Sequence, residues 1–279
     1  MTNHTIGKNK IIQFAERLRE DEKSDATLNK YLRDVRAFVE YLGSKKLTKQ
    51  AVMDYKKHIA EVYAPASVNS MLVSVNSFVE FLDRRDCRVK LLKIQRQIFV
   101  NENKELTAAE YRRLLKAAKG TRLALVIQTI CETGIRVSEL MFITAEAVED
   151  GKAVVDCKNK TRVILIPTSL RKILLGYMKK IGIKAGAIFI TRTGRPLNRS
   201  NIWREMKALC QKANVSPEKV FPHNLRHLFA RTFYSIERDI VRLADLLGHS
   251  SINTTRVYTI ETGREHYQCL ERMHRALTT

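Results

Sequence analysis

The feature that most constrains this chain is an apolar stripe at helical spacing that occurs twice in its first hundred residues. Leu28, Tyr31, Leu32, Val35, Phe38, Val39 and Leu42 form the first run, and Val68, Met71, Leu72, Val75, Phe78, Val79 and Leu82 repeat the same offsets. Spacings of three and four place such side chains on one face of an α-helix, and a strand would scatter them over both of its faces. Weaker helical patterns over residues 7–20 and 48–62 complete a small four-helix bundle. The breaks GSKKLTKQ and YAPAS separate these helices, with Thr48 and Ser67 as expected N-caps. Lys30, Arg33 and Arg36 fall on the polar side and read as a solvated helix face.

The period is lost over residues 87–104, CRVKLLKIQRQIFVNENK, a basic stretch that ends in polar residues. The domains expected are an N-terminal one over 1–88, a linker over 89–104 and a larger second one over 105–279. The second opens with the helix start LTAAEYRRLL, and the apolar helix LALVIQTICETG ends at Gly134. AVVDCKNKTRVILIP has β-branched runs on both sides of a polar centre and predicts a hairpin turning at Lys158 to Lys160. Gly194 with Pro196 and Pro217 mark turns, and Pro222 suits the first turn of the helix HNLRHLFARTFYSI. The fold class is therefore mainly α, with a helical first domain and an α+β second domain holding a small sheet.

Lys and Arg number 50 against 29 Asp and Glu, a formal net charge of +21. Each phosphate neutralised by such a surface releases condensed counterions, so the excess points to a nucleic-acid partner whatever its base sequence. Five cysteines, widely spaced and without a C-x-x-C pair, disfavour disulfides and a zinc ribbon. With no apolar signal core and no run of about 18 apolar residues, a reduced, cytoplasmic protein away from membranes is expected.

Breaking a phosphodiester without metal requires a nucleophile, cations around the non-bridging oxygens and a proton donor for the departing hydroxyl. Arg136 in TGIRVSEL, His223 and Arg226 in HNLRH, His249 in LLGHSS and Tyr258 in TTRVYT offer these groups in that order. Guanidinium suits the phosphate because it is planar, always charged and donates in pairs. An unperturbed phenol titrates near pH 10, so Tyr258 needs a base or strong transition-state stabilisation beside it. His223 and His227 stand four apart, the spacing of paired zinc ligands, but residue 224 is Asn where H-E-x-x-H has Glu. No metal site is assigned, and His227 reads as a packing or supporting residue. Tyr177, Tyr234 and Tyr267 lie in no such motif.

In their order and spacing these segments resemble the tyrosine recombinase (phage integrase) family, most closely its compact XerC/XerD-like branch. The similarity runs over nearly the whole chain, and SDATLNKYLRDVRAFVEYL is similar to the opening of the family's SAM-like core-binding module. The resemblance implies that Arg136 and Arg226 clamp the scissile phosphate, that His223 assists proton transfer and that His249 hydrogen-bonds the phosphate. Tyr258 would form a 3′-phosphotyrosyl bond. A hairpin lysine would protonate the leaving 5′-hydroxyl. The glycine usual in that turn is missing here, so Lys158, the preferred assignment, competes with Lys160. Ala244 and Ile260 also depart from the usual glutamine and histidine.

The phosphotyrosyl link conserves the energy of the broken bond, so no cofactor is expected. The implied assembly is a C-shaped clamp on double-stranded DNA, four protomers in a homo- or hetero-tetramer joining two sites through a Holliday junction. The amphipathic tail REHYQCLERMHRAL would dock on a neighbour or pack on its own domain. A type IB topoisomerase and a non-catalytic DNA-binding protein of the same fold are the competing readings.

Overall fold

The computed structural model describes residues 8–94, 102–157, 160–249, 251–258 and 263–278. The chain divides into two compact units, Met1–Arg96 and Gln97–Thr279.

In the first unit α1 (Lys8–Glu20), α2 (Asp25–Leu42), α3 (Lys49–Val62) and α4 (Pro65–Phe81) form the bundle. The two sequence stripes meet in its core, where Val35, Phe38, Val68, Leu72, Val75 and Phe78 are fully buried. Each such side chain removed from water contributes about 1.5–3 kcal/mol. Thr48 caps α3, its side chain accepting from the Ala51 amide. Ser67 is not a cap: α4 begins two residues earlier, at Pro65, with Ala64 at the N-cap position. Proline is preorganised for the first helical position and gives up an amide that would lack an intrahelical acceptor, so the helix starts there.

On the polar face of α2, Arg33 and Arg36 are exposed and Lys30 is half-buried. Asp34, 2% exposed, draws in Lys30 at 2.9 Å and Arg33 at 3.0 Å, and accepts from the Ser74 hydroxyl of α4. Residues 89–92 lack a helical period yet are tied to the bundle by two asparagines. Asn76 bonds both the amide and the carbonyl of Val89, and Asn69 does the same for Leu92.

The second unit opens with α5 (Ala108–Ala117), where Thr107 and Glu110 form a reciprocal capping box. α6 (Arg122–Thr133) ends at Gly134, whose φ of +63° a side chain would strain and whose added Cβ would lie 2.5 Å from the Phe229 ring. After a 3₁₀ turn (Val137–Phe142) and α7 (Ala145–Asp150), strands β1 (Lys152–Cys157) and β2 (Lys160–Leu165) pair antiparallel, with Val155 opposite Arg162. The hairpin turns its Ala153, Val155 and Ile164 face to the core and leaves Val154, Val163 and Leu165 exposed, as a period of two requires. Lys158 lies outside the described residues, as does the side chain of Lys160.

α8 (Thr168–Ile181), α9 (Arg199–Ala208) and α10 (Cys210–Ala213) follow. Next come α11 (Pro222–Glu237), α12 (Ile240–Leu247), α13 (Ile252–Thr255) and α14 (Gly263–Thr278). Pro222 occupies the first turn of α11, and α6 packs along α11 beneath the site. On α14, Leu270, Met273 and Leu277 are exposed. Among the described residues no helix is long and apolar enough to cross a membrane.

Candidate active site

Helix ends in the second unit place the candidate side chains. The left-handed Gly134 stops α6 and releases the chain so that Arg136 stands at the head of the 3₁₀ turn. α11 carries His223, Arg226 and His227 in its first two turns, and spacings of three and four put them side by side. Gly248, at φ +62°, ends α12 and turns the chain to His249. Tyr258 closes the 3₁₀ turn after α13. Arg136, His223, Arg226, His249 and Tyr258 thus line one open cavity of about 760 Å³, together with His227, Arg199 and Trp203.

Arg226 is 2% exposed, rare for an arginine. It donates to the Gly134 carbonyl, to the Leu247 carbonyl at 2.7 Å and to His249 Nε2 at 3.1 Å. Burial and the neighbouring Arg136 push its pKa down to about 10, so it stays charged at neutral pH. Arg136 is 40% exposed along its side chain, and its Nη1 donates to Glu139 at 2.8 Å.

Tyr258 is 6% exposed. Its ring meets His227 edge to face at 4.7 Å and lies nearly parallel to His249, with centroids 5.9 Å apart. Arginine has no acceptor, so His249 Nε2 accepts from Arg226; the neutral ring then carries its proton on Nδ1, facing Thr255 Oγ1 at 2.9 Å. Burial, followed by Arg226, Arg136 and Arg162, pushes the His249 pKa down to about 4. His223 is also lowered to about 4, by desolvation first and then by His227, Arg226 and Arg199, although the residue is solvent-exposed. Both imidazoles are neutral at pH 7 in the protein without DNA.

Three participants were not singled out by the motifs. Glu139 is 4% exposed and holds Arg136 at 2.8 Å and Arg162 at 2.5 Å. Burial pushes its carboxyl up, but the hydrogen bonds from both arginines outweigh this and hold it below the usual range. Glu105 contacts His227 Nδ1 at 3.4 Å and Arg231 at 3.3 Å, fixing the ring that abuts Tyr258. A carboxylate three residues after Arg136 and a charge at an alternating strand position were the available signals for Glu139 and Arg162. Glu105 had none. His223 and His227 meet ring to ring at 4.4 Å, and among the described residues no group of three or more His, Cys, Asp or Glu is arranged to hold a metal.

The Tyr177 and Tyr234 rings pack against apolar neighbours, and Tyr267 is 64% exposed on α14. Ala244, in place of the expected glutamine, is buried in α12; Ile260 lies outside the described residues.

The phage integrase family profile matches residues 104–264, and the phage integrase N-terminal SAM-like domain matches residues 11–86. Tyrosine recombinase XerD of Xanthomonas campestris pv. campestris is 30% identical over 298 residues, covering 95% of this chain and 91% of that protein. XerD of Halalkalibacterium halodurans is 27% identical over 265 residues, covering 85% and 87%. In fold, the chain is similar to the Tn1549 transposon integrase solved with a circular intermediate DNA, at 18% identity and a TM-score of 0.73 over 95% of this chain and 99% of that one. The chain belongs to the phage integrase family, the tyrosine recombinases.

Proposed function

We propose that this protein is a site-specific DNA recombinase that cuts and rejoins strands through a 3′-phosphotyrosyl intermediate on Tyr258. The observation that carries this reading is the convergence of Arg136, His223, Arg226, His249 and Tyr258 on one cavity. The scissile phosphate enters with its non-bridging oxygens toward Arg136 and Arg226. Tyr258 Oη attacks phosphorus while the bond to the 5′-oxygen breaks. The phenolic proton leaves toward neutral His223, and the 5′-oxygen takes a proton from Lys158 or Lys160. A 5′-hydroxyl of a second strand reverses the same steps and restores the tyrosine, with no net change in bond energy. The buried guanidinium of Arg226 is preorganised for the charge that accumulates on phosphorus oxygens, the kind of electrostatic stabilisation that supplies most of such rate enhancements.

The partner is double-stranded DNA, favoured by the charge of +21. Four protomers acting in the cytoplasm on two paired sites would carry out a complete exchange. The apolar residues that α14 leaves exposed, Leu270, Met273 and Leu277, support docking of that tail on a neighbouring protomer.

A nicked suicide duplex tests the chemistry. Wild type accumulates a covalent protein–DNA adduct that denaturing gels resolve, and Tyr258→Phe yields none; an adduct persisting in the variant overturns the nucleophile. On a duplex with a 5′-phosphorothiolate, whose sulfur leaves without a proton, cleavage is restored in Lys158→Ala or in Lys160→Ala, whichever removes the acid.

A further inference from the structure

Arg162 stands on the core-facing side of β2, in line with Ile164 and directly opposite Val155. A charge there must be paired, because a guanidinium left unpartnered away from water is strongly disfavoured. Its side chain, 12% exposed, reaches Glu139 Oε2 at 2.5 Å and the Leu246 carbonyl at 2.7 Å. Glu139 in turn holds Arg136 twice, through Nη1 at 2.8 Å and the backbone amide at 3.0 Å.

The last carbonyls of α12 show a second side of the arrangement. A helix C-terminus leaves its final carbonyls without intrahelical partners and carries a partial negative charge. Here three successive carbonyls face three different guanidiniums: Leu246 accepts from Arg162, Leu247 from Arg226, and Gly248 from Arg136 at 3.4 Å. The Arg162 stem also fills the space that a side chain at 248 would need, since an added Cβ would lie 2.3 Å from Arg162 Cδ. The chain turns from that point to His249.

We propose that Arg162 is a positioning residue for strand cleavage, holding Arg136 through Glu139 and His249 through the end of α12 without itself contacting the scissile phosphate. Shared between two guanidiniums, the Glu139 carboxylate leaves a formal charge of +1 beside the cavity. With Arg162 removed, Glu139 neutralises Arg136 outright and can draw it from the phosphate. Arg162 also lies two residues from Lys160 on β2, so the same contacts fix that strand beside the phosphate clamp.

The inference rests on the recombinase reading, and its test separates the two. Single-turnover cleavage is measured on two suicide duplexes, one with an ordinary scissile phosphate and one with a methylphosphonate, which lacks the negative charge that Arg136 neutralises. Arg162→Met cleaves the ordinary duplex about 100-fold slower than wild type, the lower end for loss of a charge-stabilising donor, with duplex affinity within about twofold. On the methylphosphonate its deficit shrinks to less than about tenfold, because an uncharged phosphoryl group no longer depends on the freed cation. Arg162→Lys keeps the charge but reaches one acceptor at a time, and recovers to within about tenfold on the ordinary duplex.

Equal deficits on both duplexes, or affinity and melting temperature falling with the rate, overturn the positioning role in favour of a purely structural one. Should Arg162→Met fail to fold, the Lys variant decides by the same dependence on the substrate. A wild-type protein that forms no adduct at all overturns the recombinase reading instead, and this inference with it.

Discussion

Both units bury charged side chains, but in opposite ways. In the bundle, the buried Asp34 is met by the half-buried Lys30 and the exposed Arg33 of its own helix and by Ser74 of α4, so its charge is compensated from the surface of two packed helices. In the second unit, Arg136 and Arg162 share a single carboxylate, Glu139, while Arg226 beside them bonds backbone carbonyls and His249, and the contacts span up to 112 residues of sequence. That cluster carries excess positive charge. Burial first, and then repulsion from neighbouring guanidiniums, lowers Arg226 to about 10 and His249 to about 4. A compensated group stabilises the fold, whereas an uncompensated cluster stores repulsion that an arriving phosphate relieves.

The sharpest way to break this contrast is Arg226→Ala. Single-turnover cleavage should fall by about 10³-fold or more, as expected when a preorganised oxyanion donor is lost. Stability should change much less. The Gly134 and Leu247 carbonyls lose a donor, a penalty of about 1–3 kcal/mol each if they stay dry, but the repulsion with Arg136 disappears and water can enter from the open cavity. Urea unfolding of the variant and the cleavage assay together check this. If the variant lost stability in proportion to activity, the cluster would be a structural network like that of Asp34.

Asp34→Ala makes the opposite case. Lys30 and Arg33 can turn to water when Asp34 is removed, so the loss should be about 1–3 kcal/mol, from the buried hydrogen bond to Ser74 and the vacated space, read as a lowered urea midpoint at unchanged slope. The cleavage rate on saturating DNA, well below the melting temperature, should stay within about threefold of wild type, because no group near the phosphate is altered. A rate loss much greater than that would extend the site into the bundle.

How legible each region was in sequence follows the same division. The bundle stripes needed only local spacing, and every helix they implied is present. The misplaced cap at Ser67 arose because Ser67 competed with Pro65, whose fit to the first helical turn moved the start of α4 back to the YAP segment. The site was legible as motifs, and the residues in them do line one cavity. Its supports were less so: Glu139 stands three residues after Arg136, but its reach to Arg162, and that of Glu105 to His227, cross folds of the chain that no periodicity encodes. Arg162 left one trace, a charge in phase with Ile164 on a strand whose other face carries the exposed Val163 and Leu165. The asparagines that fasten Val89 and Leu92 look in sequence like any polar helix positions.

A finer test uses the two glycines that end helices beside the site. Both have positive φ, so alanine is strained at each, by about 1 kcal/mol or more. At Gly134 the new Cβ would meet the Phe229 ring in the packed α6–α11 interface; at Gly248 it would meet the Arg162 stem, which moves only by giving up its bonds to Glu139 and the Leu246 carbonyl. Each alanine should therefore lose on the order of 2 kcal/mol of stability. Gly248→Ala should in addition cleave about tenfold more slowly, because the displaced Arg162 releases Glu139 and the turn to His249. Comparable rates for the two variants would detach Arg162 from the clamp.

The smallest expected effect concerns protons. His249 accepts from Arg226 through Nε2 in the DNA-free protein, so donating to a phosphate requires a proton on that nitrogen. A phosphate offsets the surrounding cations, raises the pKa from about 4 toward the ordinary value near 6.5, and favours uptake of that proton. Between about pH 5 and 6.5 the complex then holds more protons than its separated components, up to about one per His249. Binding calorimetry at pH 6 in buffers of different ionisation enthalpy measures the uptake, and affinity should rise as pH falls through this window. Folding responds with the opposite sign. Because His223 and His249 have lowered pKa values in the fold, the unfolded chain binds more protons below about pH 6.5. Stability of the DNA-free protein is therefore complete above that pH and declines as pH falls toward about 4. Acid should loosen the fold while tightening its hold on DNA. Zero proton uptake at pH 6 would mean instead that His249 stays neutral and moves its proton to Nε2, with Thr255 turning its hydroxyl to donate to Nδ1.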